Sequence, residues 1–165
     1  MAERTITING MSKAYAMTGW RMGWLAGPTP ALKLASNFNT QTVTSAATFT
    51  MHATVAALNG DQAPVEMMRC AYQERRDFIV KALNEIEGIE CHLIEGTFYV
   101  FPYFSNTDKT SNEIADTILQ KAQVVGVPGT AFGESGAKHI RFSIATSMTK
   151  LEQAVERIAK IASEI

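Results

Sequence analysis

The sequence is poor in cysteine, in excess charge of one sign and in long apolar runs, and each shortage excludes a class of protein. Its 165 residues include only 2 cysteines, so a disulfide framework is not expected. The 15 basic and 16 acidic residues nearly cancel and are scattered, which argues against binding nucleic acid or a membrane surface through charge. No apolar stretch reaches the roughly 18 residues of a membrane-spanning helix, and residues 1–4 do not resemble a secretory signal. We therefore expect a globular, cytoplasmic protein.

Potential metal ligands are also sparse. The 3 histidines, His52, His92 and His139, are far apart, and the one that lies in a predicted helix, His52, has no carboxylate or second histidine three or four positions away. That spacing would place two ligands on one helix face. No metal site is expected, and Cys70 and Cys91 are interpreted as reduced interior thiols.

The apolar periodicity predicts an α/β protein. Residues 64–86 form the longest predicted helix, and from there onward helices and strands alternate as in an α/β sandwich with one mostly antiparallel sheet. Residues 1–60 supply too few strands to close a sheet of their own, so they resemble part of a larger domain. Strands are predicted over residues 4–8, 20–28, 89–93, 97–101, 124–129 and 139–145. Further helices are predicted over residues 31–38, 46–58, 111–119 and 151–161, the last capped by Ser147 or Thr149.

A lysine lies in a glycine-punctuated loop between the first two predicted strands, next to Ser12 and shortly before Arg21. The amine of Lys13, the hydroxyl and the guanidinium together suit an aldehyde cofactor that carries a phosphate. The amine can condense with the aldehyde, while the other two groups bind the phosphate dianion. A Ser-Lys pair taken alone is more often a solvated lysine beside a structural arginine.

Residues 12–23 match the pattern S-K-x-[FY]-x-M-[TP]-G-[WL]-R-x-G at every specified position. This pattern resembles that of the class I and II aminotransferases, fold-type I pyridoxal-phosphate enzymes of the aspartate aminotransferase superfamily. The resemblance implies the C-terminal part of the α/β PLP-dependent transferase fold. Residues 1–62 would be an incomplete part of the large, cofactor-binding domain, and residues 63–165 the small α/β sandwich domain. The implied reaction transfers an amino group from an amino acid, with aspartate as a first guess, to a 2-oxo acid.

The resemblance also implies roles for individual residues. Lys13 would form a Schiff base with pyridoxal 5'-phosphate and shuttle the proton of the substrate α-carbon, Arg21 would bind the phosphate, and Ser12 would assist. A second match, from residue 127 to residue 145, contains P-G-x-x-F-G and then R-x-S-[FIY]-A, and it implies that Arg141 binds the substrate α-carboxylate. The segment Gly96-Thr97-Phe98-Tyr99 resembles one that lines the substrate entrance, although packing in the core is an equally open interpretation of its two aromatic residues.

The resemblance covers only the C-terminal part of the family. The upstream half supplies the acidic partner of the pyridine nitrogen, so this chain is expected to be inactive by itself. Residues 39–45 correspond to a region that approaches the partner subunit's cofactor, which implies a homodimer. Two alternatives stay open: a lyase, racemase or decarboxylase with the same cofactor, and a noncatalytic remnant that binds a partner or associates.

Overall fold

The computed structural model describes every residue from Met1 to Ile165, and the chain divides into two compact units, Met1–Met67 and Met68–Ile165. The assignment of residues 1–62 and 63–165 to the large and small domains of a known fold stays a prediction. None of the helices is both long and apolar enough to cross a membrane.

The first unit contains one antiparallel strand pair and helices. A 3-10 turn at Ala2–Arg4 precedes β1 (Thr7–Gly10), which pairs with β2 (Gly23–Ala26). The predicted break at Asn9-Gly10 is therefore wrong, because the strand continues through both residues. Gly10 lies opposite Gly23, and a Cβ at Gly23 would be only 3.1 Å from the carbonyl oxygen of Asn9. Two residues without side chains allow the strands to stay this close.

Helices α1 (Thr29–Thr42) and α2 (Thr48–Asn59) follow, and α3 begins at Ala63. The polar segment after residue 38 was expected to break the first helix, yet α1 continues to Thr42. The hydroxyl of Thr40 donates to the carbonyl of Ser36, and that of Thr42 donates to Phe38 and Asn39. These bonds satisfy the threonine side chains within the helix, so their usual competition with the backbone does not end it.

The second unit continues from α3 (Ala63–Asn84), close to the predicted helix. All of its strand pairs are antiparallel: β3 with β5, β4 with β7, and β6 with β7. The predicted strands over residues 89–93 and 97–101 do not pair with each other, because β3 pairs with a strand that the sequence did not reveal. One sheet was expected, and two are present, linked by a bridge between Tyr103 and His139. The bounds are β3 Ile89–Glu90, β4 Tyr99–Val100, β5 Tyr103–Phe104, α4 Ser111–Thr117 with a π-helical turn to Ala122, β6 Val127–Pro128, β7 Ile140–Ser143 and α5 Met148–Lys160.

Side-chain caps begin the last two helices. Thr110 forms a capping box with Glu113 at the start of α4, and the Ser147 hydroxyl accepts a bond from the Lys150 N–H at the start of α5. Ser147, rather than Thr149, is thus the cap of the last helix.

The two cysteines differ in burial. The buried thiol of Cys91 belongs to the core, as expected, whereas Cys70 is exposed, so the interior position predicted for Cys70 is wrong.

The paired strands β4 and β7 have two chemically different faces. Residue pairing places Tyr99 opposite Ser143 and Val100 opposite Phe142, so alternate residues share a face. The core face is fully apolar and buried; its members are Val100, Pro102, Phe104, Ile140, Phe142 and Ile144. The other face carries the aromatic and polar residues Tyr99, Phe101, Tyr103, His139, Arg141 and Ser143. Helices α3, α4 and α5 contribute to the same core as the first face, and the second face lies outside that core.

Burial is distributed unequally between the units. In the first unit only Met11, Thr50 and Thr54 are buried, whereas the main apolar core lies within Met68–Ile165. Large apolar side chains of the first unit are exposed, among them Ile6, Ile8, Trp20, Trp24 and Leu25. Exposed apolar side chains in such number are typical of a surface that other protein covers.

Candidate functional site

The end of the β1–β2 hairpin brings the predicted cofactor residues to one place. The Met11 N–H donates to the carbonyl of Met22 at 3.0 Å, which extends the ladder one step beyond the strands. Ser12 follows Met11 directly and Arg21 precedes Met22 directly, so both leave the ladder at the same point. Lys13 is the next residue of the loop. Met11 is only 1% exposed, and its buried side chain anchors this end of the loop.

Arg21 has an unusual backbone conformation. It ends the 3-10 turn Thr18–Trp20 with φ 52° and ψ 49°, in the left-handed region that side chains other than glycine seldom adopt. One guanidinium nitrogen, Nη1, donates to the carbonyl of Thr18 at 2.9 Å. This bond holds the side chain against its own turn. A strained residue that the surrounding turn stabilises is a frequent feature of ligand sites.

An open cavity of about 610 Å³ lies beside this turn. Residues 19–23 form one wall, including Arg21, and residues between Asn39 and Thr50 form the other. Trp20 contacts Phe49 across the cavity with ring centroids 6.0 Å apart. The cavity therefore places an exposed cationic fork on an otherwise uncharged wall, which suits an anionic group such as a phosphate.

A tyrosine of the motif ties the lysine loop to the end of α2. The Tyr15 hydroxyl donates to the side-chain oxygen of Gln62 at 3.0 Å, and the amide of Gln62 donates to the carbonyls of Ala57 and Gly60. The amide of Ala16 also donates to the carbonyl of Lys13. These bonds give Tyr15 a structural role, joining the lysine loop to the end of α2, that sequence reasoning did not assign.

Arg141 lies in the second unit, on the outward face of β7. Its guanidinium carbon is 4.3 Å from the ring centroid of Tyr99 and 4.5 Å from that of Phe132. The two rings do not contact each other, so each covers a different part of the guanidinium. Such cation–aromatic contacts are each worth about 1 kcal/mol at partly exposed positions.

The polar contacts of Arg141 are more informative than its aromatic ones. The side chain is half-buried, yet it forms neither an ion pair nor a hydrogen bond, and its Nε is a buried donor without a partner. Buried arginines in a folded core are almost always paired. A planar cation held by rings and left without an acceptor is suited to bind a carboxylate.

A short turn carries Phe132 to Arg141. The turn Gly129–Phe132 is attached through its first two residues: the Gly129 N–H donates to the carbonyl of His139 at 2.8 Å, and the Thr130 hydroxyl is 3.0 Å from that of Ser111. Ser111 is fully buried at the start of α4. Phe132 itself is 52% exposed, so the core does not hold its ring in place, and the attached turn does.

A histidine next to this arrangement is also without a polar partner. The His139 ring stacks on Phe101 with centroids 4.7 Å apart and planes at 19°, and Phe101 contacts Phe132 edge-on. Burial lowers the pKa of His139, and the nearby His92 contributes to the same shift. Both effects favour the neutral form of the ring, and its Nδ1 is buried without a hydrogen bond.

The structure thus places the backbones of Ser12 and Arg21 beside each other at the end of the hairpin ladder, with Lys13 one residue further along the loop, and it places Arg141 in the second unit. Arg21 lines the cavity, whereas Ser12 and Lys13 do not. Sequence reasoning did not assign site roles to Tyr99 and Phe132. Tyr99 lies on the same face as Arg141 because it pairs with Ser143, two residues from Arg141 along β7, and this pairing cannot be read from the sequence. Phe132 is the aromatic residue of the P-G-x-x-F-G match, and the sequence analysis gave that position no role.

Comparison with known proteins identifies the family. The family model described as aminotransferase class I and II matches residues 1–158. An aromatic-amino-acid aminotransferase 2 from Thermococcus litoralis is 41% identical over 99% of this chain and 42% of its own length. An aspartate aminotransferase from Pyrococcus abyssi is also 41% identical, with the same coverage. The crystal structure of an aromatic aminotransferase from Pyrococcus horikoshii matches with a TM-score of 0.95 at 40% identity, over 99% of this chain and 44% of that one.

The chain spans about two fifths of the length of these relatives, 42% for both curated proteins. The matched residues 1–158 include both the lysine loop and the Arg141 strand. The predicted family and the predicted fold are both confirmed. The chain belongs to the class I and II aminotransferase family.

Proposed function

We propose that this chain supplies the lysine, the phosphate-binding arginine and the carboxylate-binding arginine of a pyridoxal-phosphate-dependent aminotransferase. The enzyme would move an amino group between an amino acid and a 2-oxo acid, with aspartate as the first substrate to test. The observation that carries this proposal is the hairpin end at which Ser12, Lys13 and Arg21 leave the ladder together. The names of the relatives, which are aspartate and aromatic-amino-acid aminotransferases, support the same reaction type.

The residues at the hairpin end fit a phosphorylated aldehyde cofactor. Arg21 would offer its guanidinium to the phosphate from the cavity wall. The hydroxyl of Ser12, which leaves the strand ladder beside Arg21, would add a neutral donor. Lys13 is exposed in the same loop, and its amine would bind the aldehyde carbon covalently. When bound, pyridoxal phosphate supplies an electron sink for the substrate α-carbon. Lys13 Nζ would accept the α-proton and return it.

Arg141 would hold the other end of the substrate. Its unpaired guanidinium can form two parallel hydrogen bonds with an α-carboxylate, which keeps the α-carbon in one orientation while its proton leaves. In the complete enzyme we expect Arg141→Lys to weaken amino-acid and 2-oxo-acid binding by about 2 to 3 kcal/mol, because the bidentate pair is lost. Cofactor binding should change little. Equal impairment with an amine that lacks a carboxylate would contradict this role.

The first test is covalent trapping of the cofactor. The chain is incubated with pyridoxal phosphate, reduced with borohydride and mapped by peptide mass spectrometry. We expect the label on Lys13, and its loss in Lys13→Arg. Lys33→Arg is the matched control, since Lys33 is an exposed lysine of the same unit, and it should keep the label. Label spread over Lys33 and Lys81 with none on Lys13 would refute the assignment.

The chain alone is expected to be a poor catalyst, because no acidic partner for the pyridine nitrogen has been assigned in it. A homo-oligomer is expected as well, since the apolar side chains of the first unit, among them Ile8 and Trp24, are exposed. Light scattering together with an assay of aspartate and 2-oxoglutarate tests both points. A monodisperse monomer with rapid turnover would contradict them. A cytoplasmic location stays a prediction.

Product analysis in the complete enzyme separates the reaction types. A transaminase produces a new 2-oxo acid and a new amino acid in equal amounts. A lyase, racemase or decarboxylase with the same cofactor would consume the amino acid without aminating the 2-oxo acid. A noncatalytic association module would oligomerise without trapping the cofactor at Lys13.

A further inference from the structure

We infer that Tyr99 and Phe132 are positioning residues, which hold the guanidinium plane of Arg141 so that its donor edge is ready for a carboxylate. The inference rests on the proposed role of Arg141 and goes beyond it, since it assigns a function to two residues that would not touch the carboxylate themselves. The inference concerns how the Arg141 side chain is oriented. The Arg141→Lys variant described above tests whether Arg141 binds the carboxylate at all.

The need for positioning follows from the missing polar contacts. An arginine side chain has several rotatable bonds, and ordering it costs up to about 2 kcal/mol of conformational entropy. Surface and core arginines are usually oriented by a carboxylate or a carbonyl, but Arg141 has neither in this chain. Its two ring contacts, at 4.3 and 4.5 Å, are the interactions that remain to orient it. A ring contacts the face of a guanidinium and leaves its in-plane donors available.

The two rings are held by different parts of the fold. Tyr99 belongs to β4 and is fixed by its pairing with Ser143 of β7, the strand that carries Arg141. Phe132 comes from the attached turn, and the edge of Phe101 supports its ring at 5.9 Å. Tyr99 and Phe132 belong to separate segments, and both contact the same guanidinium, which restricts Arg141 more than a flexible surface arginine is restricted. This restriction lowers the entropy cost that carboxylate binding would otherwise have to offset.

The decisive variant is Phe132→Leu, because the exposed ring can be removed without opening the core. Phe132→Tyr keeps an aromatic face and should behave like the native chain. Tyr99→Leu and Tyr99→Phe form the equivalent pair for the second ring. Phe38→Leu is the matched control: Phe38 is a 72% exposed phenylalanine that forms no ring or cation contact.

Two readouts are measured on the full chain in solution. The first is the Nε–H resonance of Arg141 in a nitrogen-15 spectrum, assigned by its absence in Arg141→Lys; the ring currents of two nearby rings should shift it. The second is a titration with 2-oxoglutarate, followed on the same resonance. We expect Phe132→Leu and Tyr99→Leu each to reduce the ring-current shift and to raise the dissociation constant about fivefold, because carboxylate binding must then offset the entropy of ordering the Arg141 side chain.

Rescue by Phe132→Tyr and Tyr99→Phe, with no effect of Phe38→Leu, would support positioning over a general loss of structure. Unchanged affinity in both leucine variants, combined with loss of binding in Arg141→Lys, would overturn the inference and leave the proposed function intact. No response of the native resonance to 2-oxoglutarate would overturn the carboxylate role of Arg141 and the inference with it.

Discussion

Replacing Gly129 by alanine should destabilise the protein far more than an ordinary glycine-to-alanine change. A Cβ at Gly129 would be 2.7 Å from the carbonyl oxygen of His139 and closer still to that of Gly136. A comfortable carbon–oxygen contact is roughly 3.3 Å, so the turn must move by at least about 0.6 Å from His139. Both obstacles are backbone atoms, which cannot rotate away as a side chain could.

The expected cost follows from these contacts. Overpacking against rigid neighbours costs about 3 kcal/mol, and weakening the bond from the Gly129 N–H to His139 adds roughly 1 kcal/mol. For a chain of this length, 3 to 4 kcal/mol corresponds to a fall in Tm of roughly 6 to 16 °C. The displaced turn also carries Phe132, so the Arg141 resonance should shift even at temperatures at which the variant is folded.

Thermal unfolding followed by circular dichroism measures the effect. Gly96→Ala is the matched control: a Cβ there would meet nothing within 4 Å, so its Tm should stay within about 2 °C of the native value. If Gly129→Ala melted within 2 °C of Gly96→Ala, the close contact between Gly129 and Gly136 would not exist in solution.

Three further outcomes are expected. Thr110→Ala should lower the free energy of unfolding by about 1 kcal/mol through loss of the cap, with little change in the m-value in a urea titration. The bonds from Thr110 lower the pKa of Glu113, so this cap is intact above the ordinary glutamate pKa and is lost as the pH falls through the lowered value; Glu113→Gln should flatten that acid limb. Burial raises the pKa of Cys91 to about 11, so at pH 8 iodoacetamide should modify the exposed Cys70 and spare Cys91 until the protein unfolds, and equal rates would contradict its burial.

The sequence predicted the fold where one principle dominated. Helix α3 and the strand of Arg141 followed from apolar spacing, because the same residues that create the periodicity are buried in the core. The pairing of β3 with β5 did not follow, since strands of only two residues have no period to detect. Helix α1 extends beyond its predicted end because bonds within the helix satisfied residues that usually favour loops.

The candidate site shows a similar division. The motif around Lys13 predicted which groups come together, since a short loop between paired strands limits where they can be. The rings around Arg141 depend on contacts between segments far apart in sequence, and a linear pattern does not contain them. Phe132 reaches the arginine only because a turn is attached to Ser111 of another helix.

The two-faced strand pair β4 and β7 has a consequence for how this protein can change over time. Adding or deleting a single residue within β7 would exchange its two faces, placing the cation of Arg141 in the apolar core and Ile140 on the outer surface. The same change within β4 would exchange the positions of Tyr99 and Val100. Either change would disrupt the outward face and the hydrophobic core in one event. We therefore expect changes of length to be tolerated in the connecting loops, and the outward face to vary through replacement of its side chains.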